Sequence, residues 1–325
     1  MKRRLLMLAT GATALGAALV VPHAFGQSAK APRRVALLRV SDEASSGNSL
    51  QSFRDGLREN GHVEGRDIVI DIRYAAGRAL DLPRLAAELA ALKPTVFVAF
   101  GNTATDAALA AAAEVPVVSL GDLVASGHAA SLARPGGRVT GVSFLPSILN
   151  AKRLELLAGL LPKGSAVLNL GDPNSVIGMQ SVESAAVSLG LVHHAAYAST
   201  PSEIEAAFAS ARKLRVAGIN VLNSPFLYGN RALMFRLAAN ARLPAIYQWA
   251  DAAEEGGLMA YGPRLTAMER QLASFVSRIL AGAKPSDLPV EQPTRIELVI
   301  NLKTAEALGI TIPKWLLLRS DEVIR

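Results

Sequence analysis

The chain has 325 residues, half of them apolar and 19% charged, which is enough for two α/β cores and too apolar for disorder. It has no cysteine, so disulfides, thiolate metal sites, thiol catalysis and a lipid-bearing cysteine anchor are excluded. The formal charge is +7, but no Lys/Arg cluster is interleaved with aromatics, which argues against nucleic acid as a partner.

Residues 1–26 read as a separate segment. Lys2, Arg3 and Arg4 give a positive start, Leu5 to Val21 is apolar, and Ala24-Phe25-Gly26 offers small residues where a signal peptidase reads. The expectation is export to the periplasm, with cleavage after Gly26 or a few residues later. By length a single membrane anchor is the alternative. Arg3-Arg4 leaves Sec and twin-arginine export both open. Loss of the three basic residues lowers the formal charge from +7 to +4.

The next hundred residues alternate strand and helix patterns. Val35 to Val40 reads as a strand, followed by Ser41 to Ser49, a polar stretch read either as a ligand loop or as a solvated one, and then by Leu50, Phe53 and Leu57 at helical spacing. Ile68 to Tyr74 is a second strand, and Leu82, Leu85, Leu89 and Leu92 stripe a helix that ends at Pro94. Thr95 to Phe100 is an uncharged, β-branched and aromatic strand. It stops at Gly101-Asn102-Thr103, with Thr103 read as the helix cap and Asp106 completing its box. Val115 to Leu120 and Val139 to Phe144 complete the set, the former ending in Gly121-Asp122. This order implies a parallel, doubly wound sheet.

The pattern then restarts. Leu154, Leu157 and Leu161 stripe a helix, Ala166 to Leu170 is a strand, and the loop Gly171-Asp-Pro-Asn174 follows. Val192 to Ala196 is a strand, Thr200-Pro-Ser-Glu203 a helix start, and Gly218 to Leu222 a strand ending in Asn223-Ser-Pro225. Leu243 to Tyr247 closes this second series. The tail reads as a strand over Gly257 to Tyr261, a helix over Leu265 to Leu280, a strand over Arg295 to Ile300 and a short helix ending at Gly309. A tail of that kind after two complete lobes is expected to cross between them. The expected division is a first lobe of 33–145 with about 260–290, and a second of 146–258 with about 291–325, including the hinge.

The tail also carries a resemblance. Leu288-Pro-Val-Glu-Gln-Pro-Thr-Arg-Ile-Glu-Leu-Val-Ile-Asn-Leu-Lys-Thr-Ala-Glu-Ala-Leu-Gly-Ile-Thr-Ile-Pro313, followed by Leu316-Leu-Leu-Arg-Ser-Asp-Glu-Val-Ile324, resembles the ABC-transporter substrate-binding proteins of the tryptophan/tyrosine type. Gly61-His-Val-Glu-Gly-Arg66, Ser131 to Gly141, Lys152-Arg-Leu-Glu-Leu-Leu157, Leu243-Pro-Ala-Ile-Tyr247 and Gly256-Gly-Leu-Met259 agree with it. The resemblance implies a type I periplasmic-binding-protein fold. Its two lobes would close on a solute and dock on an inner-membrane permease driven by an ATPase. It implies no enzyme chemistry and no cofactor; a monomer is expected. The runner-up is an exported sensor partner or enzyme on the same two-lobe fold.

The family's ligand loops map here to Ser41–Ser49, with Ser41, Ser46 and Asn48 as the candidate binders, to Gly101, Asn102 and Thr103, and to Gly121 and Asp122. In the second lobe they map to Asn174, Asn223, Tyr247 and Gln248. Several positions depart from the family's usual residues, among them Ser224, Gln248-Trp249-Ala250-Asp251 and Glu269, so the resemblance implies a class of protein and not a particular solute. The expected ligand is a small polar solute, an amino acid or a relative. Its acceptor-rich end would lie at Asn102, Thr103 and the first-loop serines. Tyr228 and Trp249 are read either as a wall of the site or as core. No arginine lies in these loops. Glu254-Glu255 reads as a solvated turn, and the histidines lack metal spacing.

Overall fold

The computed structural model describes residues 31–144 and 146–325; the leader expected over residues 1–26 lies outside them. The first series runs β1 (Arg33–Arg39), α1 (Glu43–Glu59), β2 (Ile68–Tyr74), α2 (Leu82–Ala91), β3 (Val96–Phe100), α3 (Asn102–Ala111), β4 (Val117–Gly121) and β5 (Val139–Ser143). The second begins with α4 (Pro146–Ala158), β6 (Ala166–Gly171), α5 (Val176–Leu189), β7 (Val192–Tyr197), α6 (Pro201–Lys213) and β8 (Gly218–Val221). It continues through α7 (Pro225–Gly229), α8 (Arg231–Ala241), β9 (Ala245–Tyr247), α9 (Asp251–Glu254) and β10 (Met259–Gly262). The tail holds α10 (Leu265–Leu280), β11 (Glu297–Asn301), α11 (Leu302–Leu308), α12 (Lys314–Arg319) and β12 (Glu322–Ile324).

Two sheets result. The first is parallel throughout, in the order β2-β1-β3-β4-β5. The second, β12-β11-β10-β9-β8-β6-β7, is parallel except where β11 runs against β10. The continuous apolar run of β3 follows from cover on both faces. Val96 and Val98 pack with Phe53, Leu57, Leu272 and Phe275 of α1 and α10, whereas Phe97 and Ala99 pack with Leu82, Leu89 and Ala104 of α2 and α3. Removing either helix layer would expose half of that strand.

Local signals explain several element ends. Thr200 and Glu203 form a reciprocal capping box with Pro201 at the first turn of α6. Gly190 and Gly309 end α5 and α11 in the left-handed conformation that a Cβ disfavours. Two expectations are corrected. Most of the polar Ser41–Ser49 stretch is helix, because α1 starts at Glu43 with Asp42 as its cap, accepting from the Ser45 N–H at 2.7 Å. The Ser46, Ser49 and Ser52 hydroxyls bond back to carbonyls one turn earlier, so these polar side chains are satisfied within the helix, whose apolar stripe begins only at Leu50. Thr103 is also not the cap of α3. Gly101 takes that place with φ +94°, and Asp106 instead meets His128 at 2.7 Å.

The chain passes between the two sheets three times: after β5, between β10 and α10, and between Glu291 and β11. In the last passage Glu291 adds to the edge of the first sheet, its N–H donating to the Gly141 carbonyl and its carbonyl accepting from the Ser143 N–H. The chain then enters the second sheet at β11.

Candidate functional site

The lobes meet along the carboxyl ends of their strands. Three glycines permit the approach. A Cβ on Gly101 would lie 2.9 Å from Pro225, one on Gly77 3.0 Å from Phe226, and one on Gly229 3.3 Å from Ser41. The Gly101 turn is therefore covered by the start of α7. To one side of this contact lies a cavity of about 230 Å³, lined by Ser45, Asn48 and Ser49 of α1, by Thr266 of α10, and by Tyr228, Arg231, Asp251, Glu254 and Glu255 from the second series.

The first-lobe wall is neutral, but a buried charge pair sits behind it. Arg39, at the carboxyl end of β1, directs one Nη at both carboxylate oxygens of Glu269 on α10, at 2.9 and 2.8 Å. Its other Nη donates to the Ser49 hydroxyl at 3.2 Å, and the guanidinium lies 3.8 Å over the Phe100 ring. Burial pushes the Glu269 carboxyl up, against the pull of Arg39. The pair thus ties β1, α1 and α10 together and fixes the rotamer of Ser49 at the cavity.

The second-lobe wall is charged and aromatic. Arg231 lies 4.2 Å over the Tyr228 ring and forks onto the Glu255 carboxylate. Burial opposes the Arg231 charge, but Glu255 outweighs it and its pKa stands above the usual value. Burial also raises the Tyr228 phenol, so the group is a neutral donor. Asp251 is buried and caps α10 from a distance, accepting from the Leu265 N–H at 2.7 Å and the Thr266 hydroxyl at 2.8 Å. Glu254 joins Arg264, which also holds Glu297 and Glu322. Glu254-Glu255 is therefore an ion-paired turn, not a freely solvated one. Trp249 is core: it is 5% exposed and packs edge-on against Phe144 at 5.3 Å and Tyr228 at 6.4 Å.

Of the twelve residues expected to bind ligand, Asn48 lines this cavity. Ser41 and Ser46 are bonded to each other at 2.8 Å, and Ser46 is buried. Asn102 is turned back to accept from the Asp122 N–H at 3.1 Å; Gly121 closes β4 beside it. Asp122 is half-buried, its carboxyl raised by burial, and Thr103 is half-buried within α3. Asn174 is exposed on the loop after β6, and the Asn223 N–H donates to Asn150. Tyr247 is buried edge-on against Phe235 at 4.9 Å, and Gln248 donates to the Ser224 carbonyl at 2.8 Å. Ser45 and Ser49 lie within the Ser41–Ser49 stretch read as a ligand loop, whereas sequence reasoning passed over Arg231, Asp251, Glu254, Glu255 and Thr266 as site residues. One signal lay in the sequence: Arg231, three residues after Tyr228, puts a cation at a helix start, where the dipole favours an anion, so it calls for a partner elsewhere.

A family model described as ABC transporter substrate binding protein matches residues 34–324. A tyrosine-binding protein of Clostridioides difficile is 25% identical over 289 residues, covering 86% of this chain and 82% of that one. Among solved structures, a conserved domain protein from Vibrio cholerae is 25% identical with a TM-score of 0.81, over 90% of this chain and 99% of its own. An ABC domain in complex with L-Trp from Streptococcus pneumonia is 23% identical with a TM-score of 0.79, over 90% and 100% respectively.

Proposed function

The chain belongs to the family of ABC transporter substrate-binding proteins, and from that footing we propose that it captures a small zwitterion, an amino acid or close relative, in the cavity between its lobes and delivers it to a permease. The observation that carries this reading is the make-up of the cavity. One wall offers neutral hydroxyl and amide groups, and the other sets a guanidinium, an aromatic ring and carboxylates side by side. Both signs of charge on one wall match the two charged ends of an amino acid, which would share the Arg231–Glu255 pair as it docks. The tyrosine and L-Trp named for similar proteins fit the same class and a cavity with an aromatic side. In this reading the leader directs export to the periplasm, the protein acts as a monomer, and hinge closure rests on the three passages between lobes.

Calorimetry of the purified protein against a panel of amino acids, nucleosides and simple sugars tests it. Saturable binding of one amino acid without turnover is expected. Ser49→Ala should weaken it by about 1–3 kcal/mol, and Arg231→Gln by a similar or larger amount. Binding confined to sugars, or unaltered by both substitutions, would refute the reading.

A further inference from the structure

A second and larger concavity lies away from the inter-lobe cavity. It measures about 400 Å³ and opens between α8 and α11, within the size range of small-molecule sites. Ala245 and Tyr247, two residues apart on β9, form part of its lining, while the intervening Ile246 packs with Leu157 in another cluster. Phe235 and Ala239 line it from α8, Ala307 and Leu308 from α11.

Its aromatic part is built by the Gly256-Gly257 pair, a motif that the cavity between the lobes does not use. A Cβ on Gly257 would come within 2.9 Å of the Tyr247 ring, so glycine there leaves the ring its place. Gly256 has φ +117°, which favours glycine, and sits 3.7 Å from the Phe235 ring by the same measure. Tyr247 is 2% exposed, yet its hydroxyl has no hydrogen-bond partner among the described residues. Burial raises its pKa, so it is a donor at neutral pH. The charged residues that line the groove are Arg236 and Lys303, both exposed and neither ion-paired among the described residues; no Asp or Glu lines it.

We propose that this groove is a second small-molecule site, distinct from the cavity between the lobes, that takes an amphipathic monoanion. An aromatic or short aliphatic body would seat against Phe235 and Tyr247, with a carboxylate toward Arg236 and Lys303. An apolar floor with an unpaired phenol and a rim of one sign favours such a molecule over a zwitterion, whose ammonium would meet two cations, and over a neutral solute, which leaves the rim unused. The site stands independently of the solute reading given above.

The probe is 3-phenylpropionate, titrated against the purified full chain by saturation-transfer NMR and calorimetry. Saturable binding is expected, at least tenfold tighter than that of the neutral 3-phenylpropan-1-ol. Ala307→Phe, at an exposed position, fills the groove and should abolish binding. Arg236→Glu with Lys303→Glu, both on the surface, should weaken it tenfold or more and stands as the test should Ala307→Phe fail to fold. Asn48→Leu in the inter-lobe cavity should leave it unchanged. Absence of saturable binding overturns the proposal, as does binding lost in Asn48→Leu but retained in Ala307→Phe. Concentration-dependent dimerisation that Ala307→Phe removes would assign the groove to a second copy of the chain and equally overturn it.

Discussion

Each lobe buries an arginine, and the two are held in opposite ways. Arg39, 3% exposed in the first lobe, meets a carboxylate 230 residues away and lies on an aromatic ring. Arg153, fully buried in the second, donates to the Tyr261 carbonyl at 3.0 Å and to Asn150 Oδ1, and has no ion pair among the described residues. Burial without a counter-charge lowers its pKa to about 9. The contrast separates two uses of a guanidinium. In the first lobe it is half of a charge pair that locks β1, α1 and α10 behind the cavity. In the second it is a fork of donors that serves α4 and β10, the two elements that border the first two passages between lobes.

The largest break in this contrast is expected at Glu269. Glu269→Ala leaves Arg39 buried and unpaired, and such losses cost about 3–5 kcal/mol. Denaturant unfolding should show it, together with lower solute affinity because Ser49 loses its fixed rotamer. A loss under 1 kcal/mol would mean that Arg39 reaches water when unpaired. Next is Gly101→Ala. Its backbone, φ +94° and ψ 157°, belongs almost only to glycine, and the new methyl would press on Pro225. A cost of about 1–3 kcal/mol is expected from the backbone alone. Solution scattering should also show a larger radius of gyration, since the methyl wedges the lobes apart; unchanged dimensions would show that α7 yields instead.

Arg153→Met sharpens the comparison from the other side. It orphans two acceptors, at about 1–3 kcal/mol each, but removes a desolvated charge, so the net change should stay within about 2 kcal/mol. A loss as large as that at Glu269 would erase the distinction between the two arginines.

How far the sequence could be read follows the same division. Strands β2 and β3 and helix α10 were legible because burial on fixed faces writes itself as periodicity: Leu265–Leu280 was bounded correctly from its apolar stripe. The first turns of α1 were not, because serines bonded to their own backbone look like loop composition. The site was the least legible part. Strand ends and helix starts pointed to Gly101-Asn102-Thr103, but the turn is covered by Pro225, and that contact is set by the neighbouring lobe. Arg231 and Glu255 lie 24 positions apart and meet only because α8 and the turn after α9 converge on one wall. β12 escaped notice because its three residues are a strand only by pairing with β11.

The smallest expected effect tests whether the neutral network around Arg153 is as directional as it looks. The chain begins at a backbone group. The Asn150 carbonyl can only accept, so the Asn220 amide nitrogen must face it, at 3.3 Å. That nitrogen's second hydrogen goes to Asn169 Oδ1 at 2.9 Å, which turns the Asn169 nitrogen toward His193 Nδ1, also at 2.9 Å. Nδ1 must then accept, which selects the neutral imidazole with its hydrogen on Nε2. Burial lowers the His193 pKa, while Glu183 pulls it up and His194 pushes it down. Because the folded pKa lies below the unfolded value of about 6.5, the unfolded state takes up a proton first as pH falls. Stability should be full above about pH 6.5, decline below it, and level off once pH passes the folded value. Melting temperatures measured between pH 8 and pH 5 should fall more for the wild type than for His193→Gln, which accepts from Asn169 without titrating. Nitrogen NMR of labelled histidine should show an unprotonated Nδ1 at pH 7. Equal acid sensitivity in the two proteins, or a protonated Nδ1, would mean that the order imposed by the Asn150 carbonyl stops at Asn169.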